Sequence, residues 1–111
     1  MEISYEEFRK VKIHVGTVKA VEKNKRVHKP ALALEIDFGS EIGMKKTSAQ
    51  ITKNYKKEEL IGQQVAAVIN FPRKQIGPFM SECLTLGFPG ENGDVVLVQP
   101  ERKVPNGGRL Y

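Results

Sequence analysis

Leu32-Ala33-Leu34-Glu35-Ile36-Asp37-Phe38-Gly39 alternates apolar and polar side chains over a full strand length. Leu32, Leu34, Ile36 and Phe38 alternate with Ala33, Glu35 and Asp37, so one face is apolar and the other largely polar. A period of two is that of a strand with one buried face, the pattern of antiparallel sheets. Upstream, Val11, Ile13 and Val15 face one way and Lys12 and His14 the other, as far as Gly16. Gly16, inside a strand that continues over 17–22, predicts a bulge or sharp bend. Downstream, 42–51 is a weaker third strand, 64–71 is a β-rich run closed by Pro72, and 81–86 and 95–99 follow. Dense turn clusters occupy 87–94 and 104–108.

One short helix precedes the strands and a helical turn lies between them. Ser4 with Glu7 three residues on forms a capping box, and Ile3 with Phe8 sits at the positions of a hydrophobic staple. A helix of at most two turns is unstable alone and must pack on something. Residues 55–62 hold one further helical turn, stopped by Gly62. The expectation is an all-β protein. The natural fit is an OB-fold, a five-stranded Greek-key barrel, with a short N-terminal helix and a helical turn between strands. An SH3-like barrel explains the periodicities equally well.

The chain has 111 residues, 40% hydrophobic and 28% charged, which suits one compact domain spanning 1–111 and excludes disordered and fibrous classes. No apolar run approaches the ~20 residues of a membrane helix, so no membrane insertion is expected. The acidic start lacks the blocks of a signal peptide, and a single cysteine, Cys83, fits a reducing compartment. A cytoplasmic location is expected.

Eighteen Lys and Arg against thirteen Asp and Glu give a net charge of +5. Solubility alone accounts for a charge of that size. Its segregation favours a polyanionic partner. Lys23, Lys25, Arg26 and Lys29, with His28, form one run; Lys45, Lys46, Lys53, Lys56 and Lys57 a second; Arg73-Lys74 a third. Carboxylates collect elsewhere, at Glu6-Glu7, across 35–41 and at Glu58-Glu59.

Catalysis finds little support. Cys83 has no neighbouring histidine, and His14 and His28 lie at no metal-ligand spacing. Asp37 and Glu41 flank a glycine turn and read as solvated carboxylates rather than an acid–base pair. No glycine-rich phosphate loop occurs. The chain reads as a non-enzyme with no catalytic residues, no metal and no cofactor. Small barrels instead bind nucleic acid on an open sheet face, by stacking aromatics and matching phosphates. The candidates are Tyr55, Phe71 and Phe79 beside Lys45, Lys46, Lys53, Arg73 and Lys74, with Ser48, Asn70 and Ser81 supplying hydrogen bonds. Tyr55 and Phe71 read equally well as core or lid residues. The apolar loop 76–80 and the tail residues Leu110 and Tyr111 need cover. With the under-supported N-terminal helix, they predict a homodimer interface formed by both chain ends.

Phe8-x-Lys10-x-x-Ile13-x-x-Gly16-Thr17, then 37–43, then Thr47-Ser48-Ala49-Gln50-Ile51-Thr52-x-x-Tyr55 resemble the tRNA-binding domain family. That family includes C-terminal domains of some methionyl-tRNA synthetases and endothelial monocyte-activating polypeptide II. Asn70-Phe71-Pro72, Gly93-Asp94-Val95-Val96-Leu97 and the stretch from Gln99-Pro100 through Val104-Pro105-Asn106-Gly107 match its stand-alone branch, the CsaA-type export-related chaperones. The resemblance covers nearly the whole chain. It implies an OB-fold that pairs through the N-terminal helix and C-terminal segment and binds tRNA by shape, without a cofactor. It carries RNA contact onto Ser48, Asn70, Lys74 and Ser81, with Lys45 and Lys46 nearby. The branch implies an alternative role, the binding of unfolded pre-proteins in apolar pockets linked to the dimer, with Phe71 and Phe79 as walls. Three departures stand out. Lys12-Ile13-His14 stands where the family often has Asp-Ile-Arg. Ser81-Glu82-Cys83-Leu84 replaces the Ser-x-Gly-Met of tight tRNA binders. Arg73-Lys74-Gln75 stands where the branch carries proline and two arginines.

Overall fold

A computed structural model describes residues 1–24 and 31–111. The basic positions Lys25, Arg26, His28 and Lys29 lie outside the described residues. The elements run α1 (Tyr5–Arg9), β1 (Ile13–Asn24), β2 (Ala31–Asp37), β3 (Met44–Ala49), α2 (Lys57–Leu60), β4 (Gln64–Val68), β5 (Lys74–Ile76), β6 (Phe79–Ser81), β7 (Leu84–Thr85), β8 (Gly87–Pro89) and β9 (Val95–Leu97). Five strands form one antiparallel sheet in the order β3-β2-β1-β4-β7, with β5-β6 and β8-β9 as separate hairpins. The sheet curls until its ends meet: the Glu82 amide donates to the Lys46 carbonyl at 2.7 Å, which joins β3 to the β6–β7 connection. This is the expected nearly closed all-β barrel of OB type.

Alternation along β2 does what its sequence predicts. Leu32, Leu34 and Ile36, with Phe38 just beyond, point inward and are at most 3% exposed. They pack with Val18, Val21, Ile51, Val65 and Ala67, and Leu60 of α2 belongs to the same core. Burial of that apolar surface is the main favourable term in the fold.

β1 departs from its sequence pattern in two places. The strand begins at Ile13, because Val11 donates its amide to the Phe8 carbonyl in the turn after α1 and stays exposed. The register slips between Val18 and Ala20 rather than at Gly16. Gly16 is there for a different reason. A Cβ at that position would lie 2.6 Å from Ile36 Cγ2 and 2.9 Å from the Asp37 carbonyl oxygen, so strands β1 and β2 cross too closely for any side chain. Before the slip the inward residues are even-numbered (Gly16, Val18), and after it Val21 takes the core position. One extra residue, Lys19, thus changes the inward-facing parity of β1.

The C-terminal tail completes the barrel wall where β2 does not reach. Val15 accepts from Gly107 at 2.8 Å and donates to Gly108 at 3.0 Å, and Leu110 donates to Ile13 at 2.9 Å. Gln64 holds the same tail, accepting from the Val104 amide and donating to the Val104 carbonyl and Asn106 Oδ1. His14 Nδ1, facing the Gly107 carbonyl at 2.9 Å, is the protonated ring nitrogen. α1 carries the predicted capping box, with both reciprocal bonds at 3.1 Å. None of its residues is buried, and it is held mainly through its ends.

Candidate nucleic-acid interface

The expected RNA-contact residues fall on β3, the turn after Ile51 and the β5-β6 hairpin, and the register sorts them. Thr47 lies opposite the buried Leu34 and Lys45 opposite the buried Ile36, so the Lys45, Thr47 and Ala49 side chains share the inner face of β3. Lys46 and Ser48 share the outer face, where Lys46 stands across from Glu35 and Ser48 across from Ala33. Neighbouring strand residues point to opposite faces, so Lys45-Lys46 is two positions on two surfaces, not one patch. Lys45 is half-buried and Lys46 exposed.

The hairpin docks beside β3. Lys74 pairs with Ser81 and Ile76 with Phe79, which puts these four side chains on one hairpin face and Gln75 and Met80 on the other. Ser81 is only 9% exposed, and its hydroxyl lies 3.3 Å from Thr47 Oγ1, accepts from the Ser48 amide and donates to the Cys83 carbonyl. The sequence offered Ser81 as an RNA contact; in the structure it pins the hairpin to β3. Asn70 is similarly engaged. Its Oδ1 accepts from the Lys12 amide at 2.9 Å and its Nδ2 donates to the Lys10 carbonyl at 2.7 Å, so it ties the α1–β1 connection to the end of β4. Both roles depend on partners more than thirty residues away along the chain, and no local motif announces them.

What remains outward is cationic. Lys46, Arg73 and Lys74 are exposed, and so is Lys53 in the turn where Asn54 donates to the Val95 carbonyl and the Tyr55 hydroxyl accepts from the Leu97 amide. That bond makes Tyr55 a lid over the core rather than a stacking platform. Glu82 receives the Lys46 amide on Oε1 and sits 3.7 Å from Arg73 Nε on Oε2. With Arg73 73% exposed, such an ion pair is worth at most about 1 kcal/mol and yields readily to a phosphate. Among the described residues no lysine takes part in an ion pair. Phe71 is 55% exposed beyond β4, whereas Phe79 is half-buried against the hairpin.

Cys83 is 6% exposed, and burial pushes its thiol up to about 11, against which the Thr47 hydrogen bond and the Lys45 charge act only partly. Such a thiol is protonated and inert at neutral pH. Asp37 spends Oδ1 on the Gly39 amide, a turn bond at 2.8 Å. No group of three His, Cys, Asp or Glu among the described residues is placed to hold a metal, and no described helix is long and apolar enough to cross a membrane.

A feature absent from the sequence reading is a polar cleft of about 440 Å3, bordered by the β1 slip, the start of β4 and residues 99–106. Its walls come from three separated segments, which is why no contiguous motif marks it. Gln63, Gln64 and Gln99, with the 99–107 stretch, are the traces it leaves in the sequence.

The family model for tRNA binding domains matches residues 13–109. The chain belongs to the tRNA-binding domain family. Among solved structures it is similar to the chaperone CsaA of Bacillus anthracis, at 50% identity and a TM-score of 0.92 with 100% of both chains covered. It is also similar to the CsaA chaperone protein of Picrophilus torridus, at 47% identity and a TM-score of 0.91, covering 99% of this chain and 100% of that one. Among curated proteins it is 33% identical over 105 residues to the methionine–tRNA ligase of Chlorobium luteolum, covering 95% of this chain but 14% of the ligase. The chain spans about one-seventh of the length of such relatives, so the likeness concerns one small part of each ligase.

Proposed function

We propose that the chain is a non-catalytic, homodimeric module that binds tRNA by shape and phosphate contacts. The observation that carries this reading is the set of outward cations on and beside β3 and the hairpin, in a chain of the tRNA-binding domain family. Lys46, Lys53, Arg73 and Lys74 meet phosphates, Lys45 adds charge at the barrel rim, and Ser48 offers a hydroxyl between them. Ser81 and Asn70 act one step back by fixing the surfaces that carry those groups. The paired copy is supported by the exposed apolar groups at the two ends of the chain: Ile3 60%, Tyr5 61%, Val11 40%, Leu110 52% and Tyr111 98% exposed. α1 and the tail are joined by an Arg109 bond to the Arg9 carbonyl, so these ends form one region. Sedimentation with and without tRNA tests both halves. The expected result is a dimer that shifts on adding tRNA, with Arg73→Glu/Lys74→Glu weakening the complex about tenfold or more. An unshifted boundary overturns the reading.

A second reading, a chaperone for unfolded pre-proteins in the manner suggested by the CsaA likeness, is favoured by exposed apolar groups away from the chain ends: Phe71, Met80 and Phe88. Apolar capture persists at high salt, where phosphate binding fades. Suppression of client aggregation in high salt, reduced by Phe79→Asp, is the expected outcome; no suppression by the parent chain removes this reading.

A further inference from the structure

The polar cleft differs in chemistry from the cationic surface of β3. Its floor is preorganised: Thr17 Oγ1 donates to Asn106 Oδ1 at 2.8 Å, Gln64 Nε2 donates to the same oxygen at 2.9 Å, and Gln64 also clasps Val104. Both acceptor positions of Asn106 Oδ1 are thereby filled, which fixes the amide with its Nδ2 group as the part left to donate. Gln63 and Gln99, both exposed, touch only through a long 3.4 Å bond from Gln99 Nε2 to Gln63 Oε1. Gln63 Nε2 and Gln99 Oε1 therefore remain as a donor and an acceptor with no partner among the described residues.

The charge on the rim is also sorted. Arg102 makes a two-point contact with its neighbour Glu101, so that pair is close to neutral. Lys19 and Lys103, which also border the cleft, are in no ion pair among the described residues and leave it net positive. Lys19 is the residue that the β1 slip inserts, so the irregularity of that strand places a cation at the mouth. The volume falls within the roughly 300–1,000 Å3 range of small-ligand sites. Side-chain amides offering donors and an acceptor suit the edge of a nucleobase, and two free ammonium groups suit its phosphates. An unfolded apolar segment would find little here, since Pro100 is the main apolar wall.

We propose that this cleft receives one unpaired nucleotide of the bound RNA, with Lys19 and Lys103 on its phosphates and Gln63, Gln99 and Asn106 on the base edge. The proposal rests on the RNA-binding reading above and adds a base-selective contact to it. Recognition by edge discriminates between bases, whereas stacking tolerates all of them.

Two measurements test it. In tRNA titrations, Lys19→Glu/Lys103→Glu should weaken binding about tenfold or more and lower the log–log salt slope by about two, roughly one per lysine removed. Gln99→Ala, which keeps all charge, should weaken binding several-fold with the slope unchanged. In side-chain amide NMR of the parent chain, AMP, CMP, GMP and UMP should move the Gln63, Gln99 and Asn106 signals to different extents, and inorganic phosphate should move them less. A parent chain that binds tRNA while both variants match it overturns the cleft assignment and leaves the RNA reading standing. A parent chain that binds no tRNA overturns that reading instead. Equal shifts with phosphate and all four nucleotides reduce the cleft to a plain anion site, and shifts with an acidic unstructured peptide alone assign it to a protein partner; either result overturns the proposal.

Discussion

At Cys83 burial and hydrogen bonding set the chemistry of a single side chain. The folded thiol holds its proton up to about 11, against 9.0 for an unperturbed one. Between those values the unfolded chain loses its proton first, so stability is intact below about pH 9 and falls as the pH rises toward 11. A difference of that size corresponds to roughly 3 kcal/mol. Urea unfolding of Cys83→Ala should therefore decline less between pH 9 and 11 than that of the parent; parallel declines would show that burial does not hold the proton. Gly16 makes the steric counterpart. Gly16→Ala forces a methyl into contact with Ile36 and the Asp37 carbonyl, an overpacking cost of about 1–3 kcal/mol. Thermal unfolding should drop by about 4–8 °C per kcal/mol lost, and an unchanged Tm would mean that the strands can part there.

Elements were legible where their causes are local. The capping box of α1 and the alternation of β2 are written in adjacent residues, and both appear as read. Glycine is the usual mark of a bulge, so the sequence points to Gly16 for the slip in β1. Its actual place, at Lys19, follows from matching β2 along one half of the strand and β4 and the tail along the other. The site followed the same rule. Lys46, Lys53, Arg73 and Lys74 are exposed as a charge-rich sequence suggests, but the internal duties of Ser81 and Asn70 required partners far along the chain. For α1, five residues long with no buried side chain, attachment rests substantially on Asn70. Asn70→Ala should speed amide exchange at 8–12 about tenfold while β2 keeps its protection. Equal protection in both chains would mean that Arg109 and the Ile69–Lys12 backbone bond suffice.

The whole molecule divides its surface by chemistry. Among the described residues, exposed cations stand on and around β3 and the hairpin, a polar cleft opens between β1, β4 and the 99–106 segment, and exposed apolar groups lie where α1 meets the tail. The most direct test is the tRNA dissociation constant measured across a salt series. With four or more phosphates neutralised, the expected log–log slope is about −3 or steeper. A slope near zero, or affinity no greater than for a neutral polymer, would rule out phosphate binding by these cations.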